Sequence, residues 1–310
     1  MTSKNRPGNF GDARGAGVTR HLRIFEPHPG LFAYYDGRIP GYRFMAEENW
    51  VDEGAMSLGI ASYALVSGAR ALVYDTHVSV PHGQAIRAHL MGLGVTDVTV
   101  IYSHWHLDHV AGTAAFPGAT VIANTRSAAL LAEHRAKIEA GTLGGLPAIA
   151  SLVLPDTTFH DRMSFEFGGE CVELIKANIH SDDATLLWLP DRGVLLAGDT
   201  VEDTVTYVDA PEDFAIHLSE LDRMADLGAT HILPNHGAPE RIAGGGYGPG
   251  LIAATARYIR WLMNQAEEDT TPPLAEILAG DLASGDLIWW AGYEAVHLQN
   301  LVSTRKTQRK

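Results

Sequence analysis

Three histidines and one aspartate fall within six residues in His104-Trp105-His106-Leu107-Asp108-His109, directly after Ser103 and the apolar run Val98-Thr99-Val100-Ile101-Tyr102. An extended segment alternates its side chains between two faces, so His104, His106 and Asp108 point one way at the mouth of a buried strand. His109 comes from the turn that begins the next helix. Imidazole and carboxylate are, with thiolate, the ligands zinc accepts, and three or four protein ligands leave a position for a reactive water. A water bound in that way ionises near neutral pH and attacks carbonyl carbon, so the chemistry in prospect is hydrolysis. The competing reading, a polar loop whose histidines face solvent, is disfavoured by a spacing that does not arise easily by chance.

The elements that position this loop follow from periodicity. Residues 31–37 read as a strand and turn, and 57–66 and 71–74 as strands joined by Ser67-Gly68-Ala69-Arg70. Ile86, Leu90 and Leu93 are spaced as one helical face and Gly94 follows as a stop, which predicts a helix over 82–93. After the His/Asp loop come a short helix from Val110, a strand at 120–123 and a helix at 127–140. A second run of strands is expected at 163–167, 171–175, 184–189 and 194–197, then a helix through Phe214, Leu218, Leu221 and Ala225, and a strand at 231–233. Two β-rich halves flanked by helices, with polar residues at strand ends, predict an α/β chain folded as an αββα sandwich. The glycine-rich 244–250 reads as a hinge into a C-terminal part with helices over 252–263 and 287–302, the second carrying Trp289, Trp290 and Tyr293. The domain reading is a flexible tail at 1–20, one domain at 21–245, and C-terminal helices at 246–310 packing on it.

With 310 residues the chain has ample apolar content for a sizeable core, and its formal charge is −14. That charge argues against a nucleic-acid partner, which selects a basic surface. The single cysteine, Cys171, cannot form an internal disulfide and reads as a small core residue. The N-terminal stretch is polar and glycine-rich without an apolar core, and no later run is long enough to span a bilayer. The expectation is a cytoplasmic protein with no membrane partner and a small-molecule substrate; a homo-oligomer stays open.

The His-x-His-x-Asp-His run resembles that of the metallo-β-lactamase-fold hydrolases, the glyoxalase II-like enzymes among them, and is matched without substitution. The resemblance implies three further ligands in fixed order, and the chain offers His180 in Ile179-His180-Ser181-Asp182-Asp183, Asp199 in Ala197-Gly198-Asp199-Thr200, and His236 in Pro234-Asn235-His236-Gly237. It implies two zinc ions, with iron or manganese as alternatives. His104, His106 and His180 would hold the first, Asp108, His109 and His236 the second, and Asp199 would bridge them. Asp108 would also move a proton as the catalytic carboxylate. Two divalent ions, two carboxylates and one hydroxide leave a net charge of about +1, enough to polarise a carbonyl. In the family an aspartate at the position of Asp75 supports the metal loop without ligating, and His77, two residues on, is a second support candidate. The early loop of relatives overhangs the metals, which marks Tyr42, Phe44 and Trp50 as pocket walls. Trp105, Tyr207, Tyr293 and His297 complete the candidate pocket.

Three departures narrow the resemblance. Many relatives carry His-Thr-Pro-Gly-His around the third ligand, whereas this chain has His180-Ser181-Asp182-Asp183. Homoserine-lactone lactonases place a tyrosine where Glu202 stands, so a lactonase of that type is not favoured. With Asp199 present and no export signal, β-lactam resistance is not favoured either, and promiscuous turnover stays open. A mononuclear iron persulfide dioxygenase using His104, His180 and Asp199 is the rival, because metal identity follows availability as well as geometry. A flavodiiron protein would need a glutamate at His106. The leading expectation is a dinuclear zinc hydrolase of a small ester, thioester, lactone or amide.

Overall fold

The computed structural model describes residues 17–208, 210–265 and 272–308. Most of the tail expected at 1–20 lies outside these, and 17–22 form turns closed by bonds from Arg20 N to Gly17 O and Leu22 N to Thr19 O. The first sheet runs in chain order through β1 (Arg23–His28), β2 (Leu31–Asp36), β3 (Ile60–Ser67), β4 (Arg70–Tyr74), β5 (Asp97–Ile101), β6 (Thr120–Asn124) and β7 (Thr157–Phe159). Helices α1 (Val80–Gly92), α2 (Leu107–Val110) and α3 (Thr125–Glu139) lie between its later strands. Pairing is antiparallel up to β4 and parallel from there.

The second sheet comprises β8 (Arg162–Phe167), β9 (Glu170–Ile179), β10 (Ser181–Leu189), β11 (Val194–Gly198) and β12 (His231–Pro234), antiparallel except for the parallel pair β11–β12. Helix α4 (Phe214–Ala225) connects that pair. Helices α5 (Pro239–Ala243), α6 (Gly250–Met263), α7 (Leu274–Ile277), α8 (Ala279–Ser284) and α9 (Tyr293–Gln308) follow.

Strand alternation builds three apolar layers from one sequence rule. Tyr63, Leu65, Leu72 and Tyr74 face Leu174, Leu187, Leu189 and Leu196 between the sheets. Their neighbours Ala64, Ala71 and Val73 turn outward against Ile86 and Leu90 of α1 and Leu131 of α3. On the far side Leu186, Trp188 and Leu195 meet Leu221 of α4, Ile259 of α6 and Leu301 of α9. The chain therefore adopts the expected αββα sandwich, and burying each such leucine contributes roughly 2 kcal/mol.

Strands β1 and β7 were not among the expected strands, and three expectations change. Helix α9 begins at Tyr293, not at 287, because the amides of Ile288 and Trp290 donate to the side chains of Asp203 and Thr204 instead of entering a helical ladder. The stretch 244–250 is stitched to β12 by a two-way backbone bridge between Ile232 and Tyr247, where a hinge was expected. Cys171 sits half-buried at the start of β9 and is not sealed in the core.

Candidate metal centre

Parallel pairing aligns carboxyl ends, so the segments leaving β4, β5, β11 and β12 emerge on one edge of the sandwich. Asp75 follows β4, Ser103–His109 follow β5, Asp199 follows β11 and His236 follows β12. His180 is the single residue between β9 and β10, held in the left-handed region at φ 65°. Asp75 and His77 share that conformation at φ 63° and 70°. Such backbone strain in non-glycine residues concentrates at functional sites. Gly198 serves close approach: a Cβ there would lie 3.1 Å from Ser103 Cβ and from Tyr74 Oη.

These strand ends bring all seven expected ligand positions together. The Nε2 atoms of His109, His236, His180 and His104 lie 3.1, 3.4, 3.6 and 3.7 Å from Asp199 Oδ2. Asp108 approaches His236 Nε2 at 3.3 Å and His109 Nε2 at 3.5 Å. His106 Nδ1 is 3.0 Å from His180 Nε2. Potential ligand atoms within 4.8 Å of one another form the groups His104/His106/His180 and Asp108/His109/His236, with Asp199 grouped with His104 and His109, and again with His180 and Glu202.

The opposite ring nitrogens fix the orientation of these imidazoles. His236 Nδ1 donates to Gly59 O at 2.8 Å, His180 Nδ1 to Tyr207 O at 3.1 Å and His109 Nδ1 to Asp75 Oδ2 at 2.9 Å. His104 Nδ1 lies 2.9 Å from Ser103 Oγ. A carbonyl only accepts, so in neutral His180 and His236 the proton sits on Nδ1 and Nε2 presents a lone pair. Lone pairs turned toward carboxylate oxygens repel unless a cation or proton lies between. His104 Nε2 and Asp199 Oδ1 are buried without any hydrogen-bond partner. The donor set is therefore able to hold metal.

Electrostatics follow from the crowding. Burial disfavours the charged form of His109, but Asp199, Asp108 and Asp75 outweigh it and hold its pKa well above the ordinary range. His236 is raised against burial in the same way, chiefly by Asp199 and Asp108. Burial would raise Asp108, yet His109 and His236 pull it down to about 2. His180, desolvated and surrounded by other imidazoles, falls to about 4.

Four support residues carry this geometry. Asp75 accepts from Ser103 N at 2.7 Å and from Asn235 Nδ2 at 2.5 Å besides His109. Asp183 accepts from Trp105 N at 2.9 Å and from Ser181 Oγ at 2.5 Å, so the unusual turn after His180 steadies the His/Asp loop. Glu202, pushed up to about 8 by burial and then by Asp199, accepts from Tyr207 N and from Tyr293 Oη, each at 3.1 Å. Sequence reasoning placed no role on Asn235, Asp183 or Glu202. The available signal was a carboxylate three residues after Asp199 in Asp199-Thr200-Val201-Glu202, and a second one behind the third ligand.

The pocket expectations divide. Trp50, Trp105 and Tyr207 line the cleft beside His106 and Asp108. Tyr42 instead lines a separate cavity with Arg38 and Trp290, and donates to Val18 O at 3.2 Å. Phe44 packs under the loop against Val51, Met56 and Val78. Tyr293 and His297 are fully buried, bonded to Glu202 and to Tyr258, and the face of α9 that meets the cleft carries Ala295, Val296 and Gln299. His77 bonds to no metal-site residue; its ring stacks on His82 at 4.4 Å. Tyr293 and His297 occupy the inner face of α9, whereas Tyr42, Phe44 and His77 lie in loops and contact other parts of the chain.

A family model described as the metallo-beta-lactamase superfamily matches residues 57–236, more than half of the chain. A beta-lactamase-like protein 2 homolog of Drosophila melanogaster is 26% identical over 191 residues, covering 59% of this chain and 60% of that protein. The Caenorhabditis elegans homolog is 26% identical over 186 residues, 58% of this chain and 56% of that one. The match thus spans about three fifths of the length of these relatives. Among solved structures, a metallo-beta-lactamase from Pontibacter korlensis superposes with a TM-score of 0.59 at 17% identity, covering 77% of this chain and 99% of that one. No helix among the described residues is long and apolar enough to cross a membrane.

Proposed function

Because this chain belongs to the metallo-beta-lactamase superfamily, we propose that it is a hydrolase of small carbonyl substrates that works with two divalent cations, zinc by preference. The carrying observation is the convergence of four Nε2 atoms within 3.1–3.7 Å of Asp199 Oδ2, each with its other nitrogen occupied. Asp199 is the bridging carboxylate in this reading. His104, His106 and His180 would hold one cation, and Asp108, His109 and His236 the other. Bound cations of this kind polarise the scissile carbonyl and lower the pKa of water to about 7.

The chain's own residues do the rest. Asp108, on the cleft side of the cluster, accepts the proton of the attacking water on its carboxylate and returns it to the leaving group. Asp75, Tyr207 and Gly59 keep a proton on Nδ1 of His109, His180 and His236, and Ser103 orients His104, which spares reorganisation when charge develops. Glu202 holds the Tyr207 backbone and thereby His180. The rival, an iron dioxygenase on His104, His180 and Asp199 alone, would leave His106, Asp108, His109 and His236 without a task.

Elemental analysis of the purified protein, then a panel of chromogenic esters, lactones and thioesters with and without chelator, tests the proposal. Chelator-sensitive turnover with two equivalents of bound metal is expected. A protein that holds one iron and consumes oxygen with a persulfide would overturn it.

A further inference from the structure

Two adjoining cavities open over the candidate metal centre, of about 310 Å³ and 410 Å³. They share Trp50, Gly54, His106, Asp108 and Tyr207, so they are lobes of one cleft. The smaller lobe lies over His180, Asp199 and His236 and ends at α9. The larger lobe leads away from the centre between Trp50, Ala55, Trp105, Leu107 and Leu143. Among the described residues, neither lobe is lined by a lysine or an arginine. The carboxyl side chains outside the ligand set are Glu53 and Glu202. The nearest cavity with a guanidinium holds Arg38, whose Nε and Nη2 already donate to Leu58 O and Asp203 O, each at 2.7 Å.

We propose that this cleft selects an uncharged substrate with an apolar acyl chain, which lies in the lobe of Trp50, Trp105, Leu107 and Leu143. The inference rests on the hydrolase reading above and deepens it. Once a carbonyl sits at the centre, a carboxylate or phosphate elsewhere on the substrate meets no counter-ion in either lobe. It meets Glu53 at the mouth and a chain of formal charge −14. Leaving such a group desolvated and unpaired is a means of rejection, and the apolar walls supply the attraction. The walls are preformed: Trp50 Nε1 donates to Pro147 O at 3.1 Å, and the Trp105 amide to Asp183 at 2.9 Å.

Hexanohydroxamate and its ω-carboxylate analogue, adipic monohydroxamate, differ at the chain end alone, and their binding to the zinc-loaded protein is read from tryptophan fluorescence. The neutral compound should bind at least about tenfold tighter, and kcat/KM for p-nitrophenyl esters should rise about three- to fourfold per methylene from acetyl to hexanoyl. Leu143→Lys, a half-buried wall position outside the metal centre, should narrow or invert the preference between the two hydroxamates. Equal or tighter binding of the ω-carboxylate by the unaltered protein overturns the assignment, as does failure of both compounds to bind. Chelator-sensitive turnover of p-nitrophenyl acetate scores the hydrolase reading separately. A protein that turns over the acetate but prefers the ω-carboxylate refutes the cleft assignment alone. One that prefers the neutral hydroxamate without hydrolysing any ester refutes the hydrolase reading alone.

Discussion

His77 and His82 lie face to face, ring centroids 4.4 Å apart and planes 1° from parallel, whereas His104, His109, His180 and His236 turn their Nε2 atoms toward one carboxylate oxygen. Both groups are buried near the same edge of the first sheet. In the stack, His82 is satisfied within the protein: Nε2 meets Asp36 Oδ2 at 3.2 Å and Nδ1 meets Ser79 Oγ at 2.7 Å. In the convergent group one nitrogen of each ring is satisfied and the other is aimed at its neighbours. Burial and histidine content are common to both, so neither makes a metal site. What sets the candidate metal centre apart is the convergence of several ring nitrogens on one carboxylate oxygen.

Breaking the convergent group should have the largest effect. Asp199→Ala removes the atom the four imidazoles surround, and metal affinity should fall by more than the roughly 10–100-fold typical of losing an outer partner. Isothermal titration with zinc measures it, and near-normal affinity would contradict the bridging role. Asp75→Ala spares every proposed ligand but frees His109, Ser103 and Asn235. A loss of about 10–100-fold in the same titration is expected, with chelator-sensitive turnover falling in parallel.

Acid should act on the same group with a defined sign. His109 and His236 have raised pKa values, so without metal they keep their protons at pH 7, while a ligating nitrogen must be free of one. Metal binding should release about two protons near neutrality, and affinity should weaken as pH falls. Calorimetry in buffers of different ionisation heat reads this directly, and binding heats independent of buffer would refute it. The smallest effect on metal belongs to the stack. His82→Ala should leave metal stoichiometry unchanged while removing about 3 kcal/mol of stability, because Asp36 loses its buried partner. Denaturant unfolding and elemental analysis together test the contrast.

Much of the site was legible because its first ingredients are local. Strand alternation and a turn bring His104, His106, Asp108 and His109 out of one segment, and Gly-Asp or Asn-His after an apolar run marks a strand end. Asp75 apart, the supporting layer was not legible, since its members are ordinary residues until the chain has folded. Asp183 reads as half of an Asp-Asp turn, and only the packing of β10 against the loop after β5 shows it holding Trp105. The part of the pocket placed on α9 was misjudged for a related reason. Helical spacing groups Tyr293 with His297 and, equally, Ala295 with Gln299, and nothing within α9 states which face meets the cleft.

Side-chain type and order along the chain determined the donor set and the αββα layering, because hydrophobic alternation and ligand chemistry act over a few residues. Tertiary structure decided which nitrogen each imidazole presents. The atoms that settle it lie 34 positions away for His109, 27 for His180 and 177 for His236. The first two bonds exist only once neighbouring strands of one sheet have paired, and the third only once the two sheets have met.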